Sequence, residues 1–286
     1  MKHPLEQSEN TIYDGDNSKE REKEQMLKMK ASLGGKVHKD LWIRMQAFYD
    51  HQKLRLAQEN RLRMYAKLGV NTKEIEWYPA KLKELEEDFY KGIETFVRTD
   101  PVWKEFLAHV KGIGPIMAGG LIAWFDDPKK APNVSAMWKY AGLAVIEGAP
   151  DRRKAGETLS YSPKLKTHMW KIGKQLLFAK GKYYKYYLEQ KEFAKERHPT
   201  LENLEGMAKK EVNAYRKEHP NEWADGKIHM YAYRKMIKLF LANFWEAWRQ
   251  SYGLPTPLPY AESILGHSKI IHFHDMMEFK KGKPKP

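Results

Sequence analysis

The stretch HVKGIGPIMAGGLIAWF, His109–Phe125, decides how this chain is read. An apolar run ends at Val110, two glycines stand two apart at Gly112 and Gly114, and a second apolar run starts at Ile116. Trp103, Phe106, Leu107 and Val110 recur at helical spacing before the glycines. Ile116, Met117, Leu121, Ile122 and Phe125 do so after them. The spacing predicts two helices joined by Lys111-Gly112-Ile113-Gly114. Pro115 suits the first turn of the second helix, where its missing N–H costs nothing. The small run Ala118-Gly119-Gly120 is expected to let the two helices pack closely.

This layout resembles the helix-hairpin-helix motif. Without side chains, Gly112 and Gly114 let the backbone, with that of Ile113, approach a phosphate. The new helix then offers free N–H groups and the positive end of its dipole. Lys111 would add a charge. Such contacts read the shape and charge of DNA, not its bases. The plain alternative is a tight helix-to-helix turn with packing glycines. The GxxxxGK[ST] spacing of a Walker A loop is absent, which argues against nucleotide hydrolysis. Glycosylase or lyase chemistry would need an activated lysine or aspartate. Asp126 and Asp127 follow closely, but equally suit caps or flanks of a helix.

Outward from the turn, helical patterns dominate. Residues 1–38 are polar and predict a flexible arm. Residues 39–98 predict a long helical hairpin: one helix from about 40 to a stop at Gly69, a second from Pro79 to Val97. That hairpin forms either a bundle wall or a dimer interface, and a homodimer through residues 40–97 is expected. Asp100-Pro101 starts the next helix. Residues 99–255 then form the expected DNA-binding domain, with helices over PKLKTHMWKIGKQLLFAK, KYYKYYLEQKEFAKE and IHMYAYRKMIKLFLANFWEAWRQ. A polar link over 197–226 includes a short helix expected from Leu204 to His219. Residues 256–286 make a C-terminal extension with a basic tail. The fold class expected is all-α, a helical bundle with a helix-hairpin-helix motif and a long N-terminal αα-hairpin.

Composition narrows the function. The 286 residues carry 51 Lys and Arg against 37 Asp and Glu, a net charge of +14 with pI near 9.5. Such a balance favours a polyanionic partner, DNA first, over an anionic membrane; ordinary lysine-rich solubility is the alternative. There is no cysteine, so disulfides, zinc-thiolate sites and thiol catalysis are excluded. No signal peptide or membrane span is legible, and a cytoplasmic, nucleoid-associated location is expected.

Other residues invite chemistry. Arg152, Arg153, Lys154, Lys164, Lys166, Lys171 and Lys174 form a basic loop and helix start, either a second track along the DNA backbone or a solvated face. Tyr183, Tyr184 and Tyr187 in KYYKYY offer stacking surfaces, but their helical spacing favours packing. His272 and His274 would face one side of a strand and share an ion; surface or packing histidines are the plain alternative, and no metal is expected. Glu157, Glu262 and Asp275 are carboxylates whose spacing demands no nuclease.

The residues VKGIGPIMAGGLIAWFDDP, followed by AMWKYAGLAVIEG with Tyr140-Ala141-Gly142-Leu143, resemble the C-terminal domain of the IS110/IS116/IS902 transposases. The likeness extends loosely over about 40–250, including the helical linker that supports multimer assembly in that family. It implies DNA as partner. The family also has an N-terminal nuclease-like domain with acidic metal ligands, where this sequence has about 38 polar residues. The family's serine nucleophile follows the Tyr-Ala-Gly-Leu segment; here no serine comes before Ser160, and neither Ser160 nor Ser162 has a base nearby in sequence. The expectation is therefore a transposase-derived or accessory DNA-binding protein. The alternative is a transposase- or recombinase-like enzyme using Ser160 or Ser162 with a partner subunit. No cofactor is expected, and Mg²⁺ only with nuclease or recombinase chemistry.

Overall fold

The computed structural model describes residues 36–146, 149–150, 156, 158–198, 208–257 and 270–279, with five residues between 20 and 26. Among them the chain is all-α. Its helices are α1 (Lys39–Lys67), α2 (Trp77–Thr99), α3 (Pro101–Glu105), α4 (Pro115–Phe125), α5 (Val134–Tyr140), α6 (Pro163–Ala179), α7 (Lys182–Arg197), α8 (Lys209–Glu218) and α9 (Asp225–Ser251). A two-residue antiparallel pair, Val145–Ile146 with Ala149–Pro150, follows α5. No helix among the described residues is long and apolar enough to cross a membrane.

The expected αα-hairpin forms. Gly69, at φ +78°, follows the cap of α1, where a side chain would strain the backbone. Leu41, Met45 and Phe48 of α1 and Ile93 and Val97 of α2 are buried, so the base of the hairpin shares the core with α4. Halfway along, the Arg55 guanidinium forks onto both oxygens of the buried Glu86 carboxylate and also reaches Glu59. Beyond that fork Pro79 and Leu82 are still buried, but most of the large apolar side chains stand in water: Leu68 is 75% exposed and Trp77 65%.

The centre of the molecule is α9. Tyr233, Met236, Ile237, Phe240, Phe244, Ala247 and Trp248 recur every three or four residues and are all buried. Arg249 is buried too, yet forms no ion pair with a carboxylate among the described residues. Its guanidinium donates to the carbonyls of Pro128, Ala131 and Pro255, tying the turn after α4 to α9. Tyr183 and Tyr187 are buried packing residues, as their spacing predicts, and Tyr184 is half-buried. The helix expected from Leu204 begins at Lys209 among the described residues.

Two local expectations fail. The helix before the glycines is not continuous: α3 ends at Glu105, Phe106 breaks it at φ −137°, ψ −62°, and a 3-10 turn covers Leu107–His109. Phe106, Leu107 and Val110 are buried all the same, because the break keeps their apolar sides inward. The small run in α4 also packs elsewhere. A side chain on Gly119 would meet Ile93 and Met45, and one on Gly120 would meet His168 and Trp124. The close approach is therefore to α1, α2 and α6, not to the short helix before the turn.

Candidate nucleic-acid interface

The glycine turn is built by two different glycines. Val110 and Ile113 close it, the Ile113 amide donating to the Val110 carbonyl at 3.1 Å. Gly112 adopts φ +98°, the left-handed region, and has no room for a side chain. The Gln175 carbonyl and the Ala179 methyl, both on α6, lie 2.8 Å from where its Cβ would be. Ile113 is buried and anchors the turn from below. Gly114 is the opposite case. It has ordinary extended backbone (φ −101°, ψ 176°), caps α4, and has open space where a side chain would start.

Pro115 occupies the first turn of α4, as predicted. The amides of Gly114, Ile116 and Met117 find no acceptor among the described residues, while the Ala118 amide closes onto the Gly114 carbonyl at 3.0 Å. Lys111 is exposed beside them. A charged side chain, a glycine without cover and the unpaired amides of a helix start thus share one corner of the surface, a geometry that suits an anion.

The C-terminal segment braces this corner, which sequence spacing could not reveal. The Glu278 amide donates to the His109 carbonyl at 2.7 Å, and the Phe279 ring packs on His109. The Glu278 carboxylate accepts from the Lys182 amide at 2.8 Å, capping α7 where Gly181 approaches Lys111. His272 and His274 do not lie in a strand. Phe273–Met276 is a 3-10 turn, with Phe273 buried against Phe106 and its amide held by Glu246. The His272 ring bonds Glu246 at 2.7 Å and the His274 ring packs on Phe273. Among the described residues no three histidines or carboxylates lie close enough to hold a metal.

The lysines of α6 do not all share one face of the helix. Successive residues turn about 100° around a helix, so Lys166 points roughly opposite to Lys164. Lys164 and Lys171, seven apart, face Trp42 and Tyr49 of α1, also seven apart. The Lys164 ammonium lies 5.6 Å from the Trp42 ring centre and 2.9 Å from the Gln46 amide oxygen. That of Lys171 lies 4.0 Å over Tyr49, and its burial lowers its pKa. Lys174 sits over Trp170 at 4.0 Å, and Lys166 over Tyr161 at 4.1 Å on the other flank. Arg152, Arg153, Lys154 and Glu157 lie outside the described residues, as does Glu262.

Ser162, Asp126 and Asp127 accept hydrogen bonds from backbone amides. The Ser162 hydroxyl accepts the Leu165 amide at 3.3 Å, starting α6, and the Ser162 amide donates to the Tyr140 carbonyl. Ser160 is exposed two residues earlier. Asp126 takes φ +70°, ψ −47°, and with the Asp127 amide bonded to the Phe125 carbonyl it forms a strained γ-turn. The turn aims its carboxylate at the start of α1, where it accepts from the Val37 and His38 amides and from Lys130. Burial alone would raise the Asp126 pKa; Lys130 and the His38 amide outweigh it and hold it below the usual carboxylate range. Asp127 caps the next turn through the Lys129 amide.

Among the described residues the chain is all-α, and its glycine turn opens onto the start of α4 beside the exposed Lys111. Comparison with known proteins adds one relationship: residues 104–188 match the Transposase IS116/IS110/IS902 family. The match takes in the glycine turn, Tyr140-Ala141-Gly142-Leu143, all of α6 and the start of α7. No curated protein and no solved structure matches the chain.

Proposed function

We propose that this chain is a transposase-derived or accessory DNA-binding protein. It holds the phosphate backbone largely without regard to base sequence, through the Lys111–Gly114 turn and the lysines of α6. The turn acts as a shortened helix-hairpin-helix. Lys111 supplies charge, Gly114 lets a phosphate reach the amides of α4, and Gly112 and Ile113 give the turn its shape. Lys164, Lys171 and Lys174 extend the track on one side, while Lys166 contributes from the other flank. Arg152, Arg153 and Lys154, which precede α6 in the sequence, add charge. The long hairpin serves assembly, and a nucleoid-associated location follows from the partner. The observation that carries this reading is the open Gly114 corner with its unpaired amides, inside the segment matched to a transposase family.

Gly114→Glu tests it cleanly. A carboxylate at the start of a helix favours the helix dipole and so stabilises the fold, while repelling a phosphate. The expected outcome in a fluorescence anisotropy titration with a duplex oligonucleotide is an affinity loss of about tenfold or more, with an unchanged or raised melting temperature. For the unaltered chain, roughly six phosphate contacts give a log–log salt slope near −5, and Lys111→Ala reduces it by about one. A flat salt dependence, or full binding by Gly114→Glu, refutes the proposal.

A further inference from the structure

The outward face of α6 carries Trp170, Lys174 and Phe178, each four residues after the last and so aligned along the helix. Trp170 is 47% exposed and Phe178 75%, although Leu165, Met169, Ile172 and Leu176 of the same helix are buried. The Lys174 ammonium lies 4.0 Å over the Trp170 ring. Two large rings left in water on a helix that otherwise sorts its apolar residues inward indicate a surface with an occupant.

The charge around the rings indicates which occupant. The helix α6 contains four lysines and no carboxylate, and Lys180 and Lys182 follow it. A polyanion suits that field. Flat rings spaced along it suit bases whose faces are free, and a duplex hides those faces in its own stack. The position also fits. The last turn of α6, which bears Phe178, packs on Gly112 through the Gln175 carbonyl and Ala179, so the stripe begins where the glycine turn ends.

We propose that Trp170, Lys174 and Phe178 bind an unpaired DNA strand that continues from the duplex held at the glycine turn. Bases stack on the two rings and a phosphate meets Lys174 between them. The proposal rests on the DNA-binding reading above and extends it from duplex to duplex with a single-stranded tail.

The test compares three labelled DNAs in anisotropy titrations of the full chain: a blunt duplex, the same duplex with a single-stranded thymidine tail, and the tail alone. The variants are Trp170→Ala with Phe178→Ala, and Trp170→Phe, which keeps a ring. Both rings are exposed and only the Trp170 backbone carbonyl is used inside the fold, by the Tyr233 hydroxyl, so folding is preserved and is checked by thermal melting. The alanine pair is expected to lose about tenfold or more on the tailed and single-stranded DNAs and less than twofold on the blunt duplex. Trp170→Phe keeps most of the tail affinity. Equal losses on tailed and blunt DNA, or unchanged tail binding, overturn the proposal. If Gly114→Glu weakens duplex binding while the alanine pair leaves the tail untouched, only the stripe fails. If the unaltered chain binds none of the three, the DNA-binding reading fails with it. A lower sedimentation mass for the alanine pair with unchanged tail binding assigns the stripe to contacts between copies and also overturns it.

Discussion

His168 shows how much one side chain in α6 decides. Its Nε2 bonds the Met117 carbonyl at 2.8 Å, which fixes Nε2 as the protonated nitrogen of a neutral ring. The ring lies against the backbone of α4 in the space a side chain on Gly120 would need, and edge-on to Trp124 at 4.6 Å. Its pKa falls to about 4: burial is the main cause, the bond to Met117 opposes it, and the nearby Lys171 charge adds to the lowering. The folded state therefore resists a proton that the unfolded chain takes up near 6.5. The resulting stability is fully present above pH 6.5 and is lost as pH falls toward 4, about 3 kcal/mol over the whole range. Denaturant unfolding at pH 7 and pH 5 is expected to differ by about 2 kcal/mol for the unaltered chain. In His168→Gln that difference shrinks, whatever the variant's own stability. An undiminished difference would place the effect on other groups.

At the scale of the element, the two glycines of the turn separate shape from contact. Gly112→Ala adds both a strained φ and a collision with the backbone of α6, for a loss of about 2 kcal/mol or more. Gly114→Ala meets open space and ordinary φ, so its melting temperature stays close to that of the parent. Circular dichroism melts of the two variants check this contrast, and equal losses would contradict it. The sequence shows a turn here, with Pro115 at its far side, but the pair reads as equivalent because spacing carries no information about what packs above each residue. The broken helix before the turn escapes for a related reason. Trp103, Phe106, Leu107 and Val110 are inward in one long helix and also in a short helix followed by a 3-10 turn. The histidines mislead because alternation at 272 and 274 is a strand signal only where the backbone is free to extend, and Phe273 is pulled into the core instead. The lysines of α6 are legible as a charge cluster, whereas their seats on Trp42 and Tyr49 depend on α1, more than a hundred residues away.

On the scale of the molecule, the long hairpin has two unlike halves. Its base is part of the core through Leu41, Met45, Ile93 and Val97, and the Arg55–Glu86 fork marks where that support ends. Past it, Leu68, Val70, Ile75 and Trp77 are all exposed at the far end. An apolar end on a projecting arm suits contact between two copies of the chain, and a pair of chains would double the lysines presented to one DNA. Assembly and DNA binding would then be coupled through the number of phosphates engaged. Sedimentation velocity is expected to find a dimer for the unaltered chain and a monomer for Leu68→Glu with Trp77→Glu. These substitutions lie on exposed positions far from the core, so stability should change by less than about 0.5 kcal/mol. The same variant should show a shallower salt slope for DNA, because each complex engages fewer phosphates. A monomeric parent, or a dimer that persists in the variant with its slope unchanged, would mean that the exposed end of the hairpin does not join copies of this chain.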